Sequence, residues 1–152
     1  MTSRALRLLL LAASSLLGGA LGCQTVDLGA PPADVNLCEP GQMWFVTQIW
    51  PNFLGQDYNG VHCYDANCHG PNPKGALALI NSSEPMTFPL QMEWAANYAS
   101  ASHLMNCSVP MDSRLITLPE GKQTHGGGML IDPSSAQGIQ INMLLNMWVA
   151  QP

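Results

Sequence analysis

Two cysteines and a histidine lie close together near the middle of the chain, as Cys63-Tyr-Asp-Ala-Asn-Cys68-His69. One short loop carries all three side chains, so the rest of the domain has to be organised around what this loop forms or binds. A disulfide would close the loop and leave His69 incidental. A zinc site would need a second Cys/His pair at ligand spacing, which the sequence lacks. A thioredoxin-like redox pair would need C-x-x-C beside a βαβ pattern, and neither is present.

The same order of residues is a variant of the C-x-x-C-H signature of covalent haem attachment, with four residues between the cysteines instead of two. In that chemistry two thiols add to the two vinyl groups on one edge of the porphyrin, and the adjoining histidine binds iron from the proximal face. The motif therefore predicts thioether bonds to Cys63 and Cys68 and iron ligation by His69. The longer loop must bulge away from the porphyrin edge, and a Cys63–Cys68 disulfide remains the alternative.

A second informative stretch, His125-Gly-Gly-Gly128-Met129, follows later in the chain. Consecutive glycines cost backbone entropy and bring no packing, so they mark a conformation that other residues cannot adopt. A loop that passes flat against a porphyrin face needs this freedom, and the flanking His125 could bind iron there. A mobile surface loop with an exposed histidine is the alternative interpretation.

The first 22 residues have the pattern of an export signal rather than of folded structure. Arg4 and Arg7 form a basic start, residues 8–17 an apolar stretch and residues 18–22 a small-residue exit. The apolar stretch is too short and wrongly flanked for a helix that spans a membrane.

This signal ends at Ala20-Leu-Gly-Cys23, which resembles the lipobox of bacterial lipoproteins. The resemblance implies cleavage before Cys23 and acylation of that residue, and Gln24 implies retention at the outer membrane, on the periplasmic side. Several acyl chains on one residue anchor a protein firmly. Ala20 stands where leucine is commonest, which leaves ordinary signal-peptidase cleavage open. Residues 23–37 then predict a lipidated tether, followed by one domain over residues 38–152.

Loss of the signal makes the chain more acidic. The whole sequence has a formal net charge of −5, and without Arg4 and Arg7 three basic residues face ten acidic ones, which gives 3 − 10 = −7. No basic patch or stripe is present, which argues against a nucleic-acid partner. Only 10% of the residues are charged. We therefore expect neutral polar side chains over much of the surface, with some of it covered by a prosthetic group or a partner.

Two further cysteines are left after lipid takes Cys23 and haem takes the central pair. In an oxidising compartment Cys38 and Cys107 could form a disulfide that ties the N-terminal segment to the middle of the domain. A loop of this length is worth roughly 4 kcal/mol in the chain-entropy model, less any strain. Two separate buried thiols are the alternative.

Apolar periodicity predicts a first helix after Pro40-Gly41. Four residues fall at helical spacing on one face: Val46, Ile49, Trp50 and Phe53. Pro51 lies inside this pattern and is expected to kink or end the helix near Trp50.

Later segments predict two or three more helices. One covers residues 89–102 with an aromatic stripe, and a short one follows Asp112-Ser113 and ends at Pro119. The last helix is expected to begin with Asp132 as N-cap and Pro133 at its first position. Its apolar face, expected to pack against the first helix, comprises Ile141, Leu144, Leu145 and Trp148. Residues 76–80 stay open between a strand-like piece and a helical turn.

Residues 41–149 together resemble the class I c-type cytochromes, which are all-α domains that wrap one haem. The likeness is to exported monohaem modules with an aromatic first helix, a C…CHG motif and an "S-x-L … HGGG … W" C-terminal half. The matching residues are Cys63, Cys68, His69, Gly70, Ser113, Leu115, His125 to Gly128 and Trp148. The four-residue cysteine spacing and the absence of a Met-Pro motif depart from ordinary members. The expected fold is thus a small all-α, cytochrome c-like domain of three to four helices around one covalent haem.

The resemblance implies His69 as the proximal ligand and a distal ligand from the loop before the last helix. His125 lies in that position, 125 − 69 = 56 residues further on. Met129 is its main rival and Met111 the third candidate. The choice matters because His/Met ligation raises the reduction potential relative to two histidines. We expect His125.

These features predict a lipid-anchored electron carrier with one haem c, rather than an enzyme, since iron bound on both faces leaves no site for a substrate. The acidic chain favours a redox partner with a basic docking face. Two other functions stay open. One is a structural or binding lipoprotein that keeps the fold without haem and has a Cys63–Cys68 disulfide. The other is an enzyme with five-coordinate haem.

Overall fold

The computed structural model describes residues 39–73 and 75–151 as helices joined by long irregular loops. The helices are α1 (Gln42–Trp44), which continues as a π-helix over Phe45–Leu54, then α2 (Met92–Ser102), α3 (Arg114–Thr117) and α4 (Ala136–Val149). A 3₁₀ turn, Pro110–Asp112, precedes α3. No strand occurs among the described residues, where Asp57 and His62 form an isolated antiparallel bridge. The all-α prediction is therefore confirmed for this part of the chain.

Residues 1–38 lie outside the described part. The predicted signal (1–22), the tether (23–37), the lipidation site Cys23 and the cysteine Cys38 all fall there. Within residues 39–73 and 75–151, no helix has the length and apolarity needed to cross a bilayer.

The first helix begins after Gly41, as predicted, and buries its whole apolar face: Val46, Ile49, Trp50 and Phe53. Pro51 was expected to kink or end the helix near Trp50; an end there is wrong, because the helix continues to Leu54. Proline lacks an N–H donor, and in an α-helix its ring clashes with the carbonyl four residues earlier. A π-helix has a wider turn with bonds five residues apart, and Gly55 N donates to Trp50 O at 2.8 Å in this pattern.

The last helix packs against the first, as predicted, and its four expected core residues, Ile141, Leu144, Leu145 and Trp148, are all buried. The Trp148 ring lies 5.6 Å from the Phe45 ring. Its Nε1 donates to Gly41 O at 3.0 Å, and Gly41 N donates to Gln151 O at 2.9 Å. These contacts join the first and last described elements of the domain.

The start of α4 differs from the prediction. Asp132 does not cap the helix, since its carboxylate accepts hydrogen bonds from N and Oγ of Ser134, at 2.8 and 2.7 Å. Ser135 is the N-cap, and its Oγ accepts a bond from Gly138 N at 3.0 Å. The acidic side chain forms a local turn instead, which delays the helix by three residues.

α2 begins at Met92, three residues later than predicted. Trp94 on its inner face is buried and lies 5.0 Å from Trp50, edge to face. The helix α3 follows Ser113 as expected, but Ser113 Oγ accepts a bond from Asn106 N at 2.9 Å and does not cap the helix. Residues 77–80 form neither a helix nor a strand, with Leu77 and Leu79 buried and the residues between and after them exposed.

Candidate functional site

The cysteine–histidine loop folds back on itself around Asp65. The carbonyl oxygen of Asp65 accepts hydrogen bonds from Cys68 N at 2.8 Å and from Gly70 N at 3.0 Å. His69 N donates to Cys63 O at 3.0 Å, which brings the first cysteine beside the histidine. A Cβ atom at Gly70 would lie 2.9 Å from the Asp65 carbonyl oxygen, so a side chain there would push the loop apart. A compact turn thus accommodates the four residues between the cysteines.

Both cysteines of this loop are free thiols, and both line a cavity of about 550 Å³. Cys63 is 9% exposed, whereas Cys68 is partly exposed. Burial, with smaller effects of the nearby Cys68 and Asp65 charges, raises the pKa of the Cys63 thiol to about 12. The two cysteines therefore border one cavity in different environments.

His69 is held with one ring nitrogen engaged and the other available. Its Nδ1 lies 3.1 Å from Leu77 O. A carbonyl oxygen only accepts, so this contact places the proton on Nδ1 and the lone pair on Nε2. Burial lowers the pKa of His69, the hydrogen bond to Leu77 opposes this, and the nearby His125 lowers it further. The residue is thus held as the neutral tautomer that binds metals, with its second nitrogen oriented by a carbonyl.

His125 has the same arrangement in a separate loop. Its Nδ1 lies 3.0 Å from Gly128 O, which again leaves Nε2 with the lone pair. Gly128 has φ +73°, a left-handed conformation that disfavours side chains, while Gly126 and Gly127 do not. The special conformation predicted for the glycine run is therefore confined to the residue whose carbonyl orients His125.

The two imidazole rings face each other. Their centroids are 5.9 Å apart and their planes differ by 19°. Imidazole nitrogens bind first-row metals at about 2 Å, so two such ligands on opposite sides of one ion have ring centres roughly 6 Å apart. The separation of the His69 and His125 ring centres is close to that of two imidazoles that share one metal ion.

The cavity between them is mostly apolar and comparable in volume to typical cofactor pockets. Its apolar walls include Phe53, Leu54, Leu104, Leu115, Leu118 and Leu130. Arg114 is the only lysine or arginine on the described lining, and no carboxylate lies there. Sequence reasoning treated Arg114 only as part of a helix, because nothing local shows that α3 borders the cavity.

The methionine candidates for the distal position lie elsewhere. Met129 is 63% exposed and does not line the cavity; it packs close to Gly121 instead. The Met111 sulfur accepts a bond from Asn146 Nδ2 at 3.4 Å, and it is also absent from the lining. Of the three candidates, the structure places only His125 opposite His69.

The loop that carries His125 is closed at its base and anchored to α4. Pro119 O accepts from Leu130 N at 2.8 Å and from Ile131 N at 3.1 Å. The neighbouring Glu120 is buried, and its Oε1 accepts a bond from Asn142 Nδ2 at 2.8 Å. Its Oε2 has no well-directed hydrogen bond but lies 2.8 Å from Lys122 Nζ, which balances the charge. Sequence reasoning missed this anchor because its partners come from different elements.

The third cysteine among the described residues, Cys107, is disulfide-bonded. Cys38, its predicted partner, lies outside the described residues, so the Cys38–Cys107 pairing stays a prediction.

No group of three or more His, Cys, Asp or Glu side chains in the described part is arranged to hold a metal ion. A porphyrin supplies four nitrogen ligands itself, so a haem iron needs only two from the protein. Comparison of the chain with protein-family models, with curated protein sequences and with solved structures finds no match.

Proposed function

We propose that this protein is a monohaem c-type cytochrome that carries electrons while anchored by lipid at Cys23. One observation carries the proposal. The rings of His69 and His125 face each other at 5.9 Å beside a cavity that both free cysteines line. The all-α, cytochrome c-like fold expected for residues 38–152 would then enclose one covalent haem.

Haem, when bound, supplies one-electron exchange at its iron. Cys63 and Cys68 would hold its vinyl edge through thioether bonds, and His69 and His125 would hold the iron. The carbonyls of Leu77 and Gly128 keep both Nε2 lone pairs available, at 3.1 and 3.0 Å from the respective Nδ1 atoms. With two protein ligands no position is left for a substrate, so the protein is a carrier and not an enzyme. Ligation by two histidines sets a lower potential than His/Met ligation.

Arg114 is suited to pair with the carboxylates of a bound haem. It is exposed at the edge of the cavity, and neither of the two ion pairs among the described residues involves it. The apolar walls would keep water from the porphyrin faces, while this cation compensates negative charge at the rim.

The partner and location follow from the rest of the sequence. The acidic mature chain suits a redox protein with a basic docking face, and attraction of this kind weakens as salt is added. The lipobox at Cys23 and the following Gln24 suit a position on the periplasmic side of the outer membrane. We expect no nucleic-acid partner.

The test is the optical spectrum and mass of protein purified from a host able to attach haem c. A sharp reduced α-band of c type, and a mass increased by one haem, are expected, and both should be lost when Cys63 and Cys68 are replaced by serine. No haem in a competent host would refute the proposal. A mass lower by two hydrogens would then indicate a Cys63–Cys68 disulfide and a non-haem lipoprotein.

The distal ligand is tested by comparing His125→Ala with Met129→Leu. Replacement of His125 is expected to open the iron, so that the reduced protein binds carbon monoxide, whereas the Met129 variant should not bind it. Carbon monoxide binding by the unaltered protein would instead indicate an open iron position, as in a haem enzyme. Binding gained only by the Met129 variant would make methionine the ligand.

A further inference from the structure

The segment that orients His69 belongs to no helix and no sheet. Leu77 O accepts the bond from His69 Nδ1 at 3.1 Å, and Leu79 N donates to His69 O at 2.7 Å. One short segment thus holds both the ring and the backbone of this histidine. Since no strand lies among the described residues, its remaining backbone groups need partners from another source.

Helix α2 supplies those partners through two side chains. Asn97 is 0% exposed; its Nδ2 donates to Ile80 O at 2.9 Å, and its Oδ1 accepts from Ile80 N at 2.7 Å. One turn further along the helix, Ser100 Oγ accepts from Ala78 N at 2.7 Å. The amide of Asn97 exchanges both hydrogen bonds with one residue, as a neighbouring antiparallel strand would.

We propose that Asn97 is a positioning residue for the iron ligand His69. It acts through the segment Leu77–Ile80 and keeps the Leu77 carbonyl at His69 Nδ1. A carbonyl in this position fixes the tautomer and direction of a metal-bound histidine and increases its basicity. This role rests on the proposed function, because only a bound iron makes the direction of Nε2 matter.

The two histidines differ in how far away the carbonyl that orients each ring lies along the chain. His125 is oriented by Gly128 O, three residues away in the same loop. The partner of His69 lies eight residues away and has no turn of its own to hold it. A buried amide on α2 therefore has to fix the proximal side, while the distal side is oriented locally.

Removal of the amide is expected to weaken the Leu77–His69 hydrogen bond. A less basic imidazole stabilises ferric iron less, so the reduction potential of haem-loaded Asn97→Ala should rise above that of the parent protein. The matched control is Asn52→Ala, which removes a side-chain bond to Gln48 O of 2.8 Å within the first helix. That variant should leave the potential unchanged.

Asn97→Asp gives a sharper test, because a protonated carboxyl group has the same donor and acceptor pattern as the amide. In haem-free protein, this variant should keep the His69 proton on Nδ1 at acidic pH and show exchange between the two tautomers once the carboxyl group ionises and can no longer donate to Ile80 O. If Asn97→Ala does not fold, Ser100→Ala removes the neighbouring contact and should shift the potential in the same direction by a smaller amount.

Nitrogen NMR of haem-free protein separates this inference from the proposed function. The His69 ring should carry its proton on Nδ1 in the parent protein and in Asn52→Ala, and exchange between tautomers in Asn97→Ala. If Asn97→Ala shifts the tautomer but the protein never binds haem, Asn97 still positions His69, and the proposed iron site is refuted. Unchanged potential and unchanged tautomer in folded Asn97→Ala would overturn the inference.

Discussion

At the scale of single residues, the two cysteines of one motif have different reactivity. Cys63 lies against the core and Cys68 is partly exposed, although both line the same cavity. The thiolate is the reactive form of cysteine, so the pKa of Cys63, raised to about 12 by burial, keeps this thiol protonated at neutral pH. The difference is a property of the folded state and disappears when the chain unfolds.

We therefore expect unequal alkylation in protein produced without haem. At pH 8, iodoacetamide should modify Cys68 readily and Cys63 about a thousandfold more slowly than an ordinary thiol, with a rate that rises with pH. Mass mapping of the Cys68→Ser and Cys63→Ser variants gives the two rates. Denatured protein is the control, in which both sites should react alike. Equal rates in the folded protein would show that Cys63 is not buried as described.

The same pKa predicts how stability changes with pH. The Cys63 thiol ionises at a lower pH in the unfolded chain than in the folded one, so the folded state keeps more protons between these two values. The free energy of unfolding of haem-free protein should therefore be complete below the ordinary thiol pKa of about 8.5 and fall as the pH rises toward about 12. Chemical denaturation across this range checks the slope, and Cys63→Ala should reduce it.

At the scale of elements, the loop before α4 shows that neighbouring glycines have different roles. Gly128 has φ +73°, whereas Gly126 lacks a left-handed φ, and a Cβ at either position would meet no atom within 4 Å. Any cost of a side chain at Gly128 therefore comes from the backbone and not from a clash. Since Gly128 O orients His125, a change of that backbone should also disturb the histidine.

Gly128→Ala is expected to lower the free energy of unfolding by about 1–2 kcal/mol, because alanine is strained in the left-handed region. In haem-loaded protein it should also permit carbon monoxide binding, as His125 is held less firmly. Gly126→Ala, two residues away, is the matched control and should be neutral or slightly stabilising. Equal effects of both substitutions would mean that the left-handed backbone of Gly128 is not what makes glycine necessary in this loop.

At the scale of the molecule, the first and last helices each contain a tryptophan with a buried indole N–H. Substitutions at these two residues can show which contacts hold the two helices together. Trp148 is fully buried and its Nε1 donates to Gly41 O at 3.0 Å. Trp44 Nε1 is also buried but has no hydrogen-bond partner among the described residues. The same change, tryptophan to phenylalanine, therefore removes a satisfied donor in one case and an unsatisfied one in the other.

Trp148→Phe should cost about 0.5–1.5 kcal/mol from the hydrogen bond alone, since Gly41 O loses one of its two donors and keeps Phe45 N at 3.1 Å. Trp44→Phe should be much less destabilising, or stabilising, because burial of an unpaired N–H costs free energy. Urea denaturation of both variants measures the difference. A larger loss for Trp44→Phe would show that ring packing, and not this bond, controls the closure of the domain.

The sequence by itself determined the features that depend on neighbouring residues. It predicted the helical content, the buried faces of the first and last helices, and the group of residues that includes Cys63, Cys68 and His69. Such features can be read from spacing because a helix repeats every 3.6 residues and a short loop keeps its side chains together. Two local predictions were wrong. At Pro51 a π-helix forms where a break was expected, and at Asp132 a side-chain turn forms where a helix cap was expected.

Only the tertiary structure decided which side chain faces His69 and what orients it. The sequence favoured His125 but left Met129 as its rival, and the closed loop places the histidine at the cavity and leaves the methionine exposed. The Asn97–Ile80 pair and the buried Glu120 gave no local signal, since each joins residues 17 or 22 positions apart. Contacts of this range form only when the core brings the elements together, so no pattern within one element reveals them.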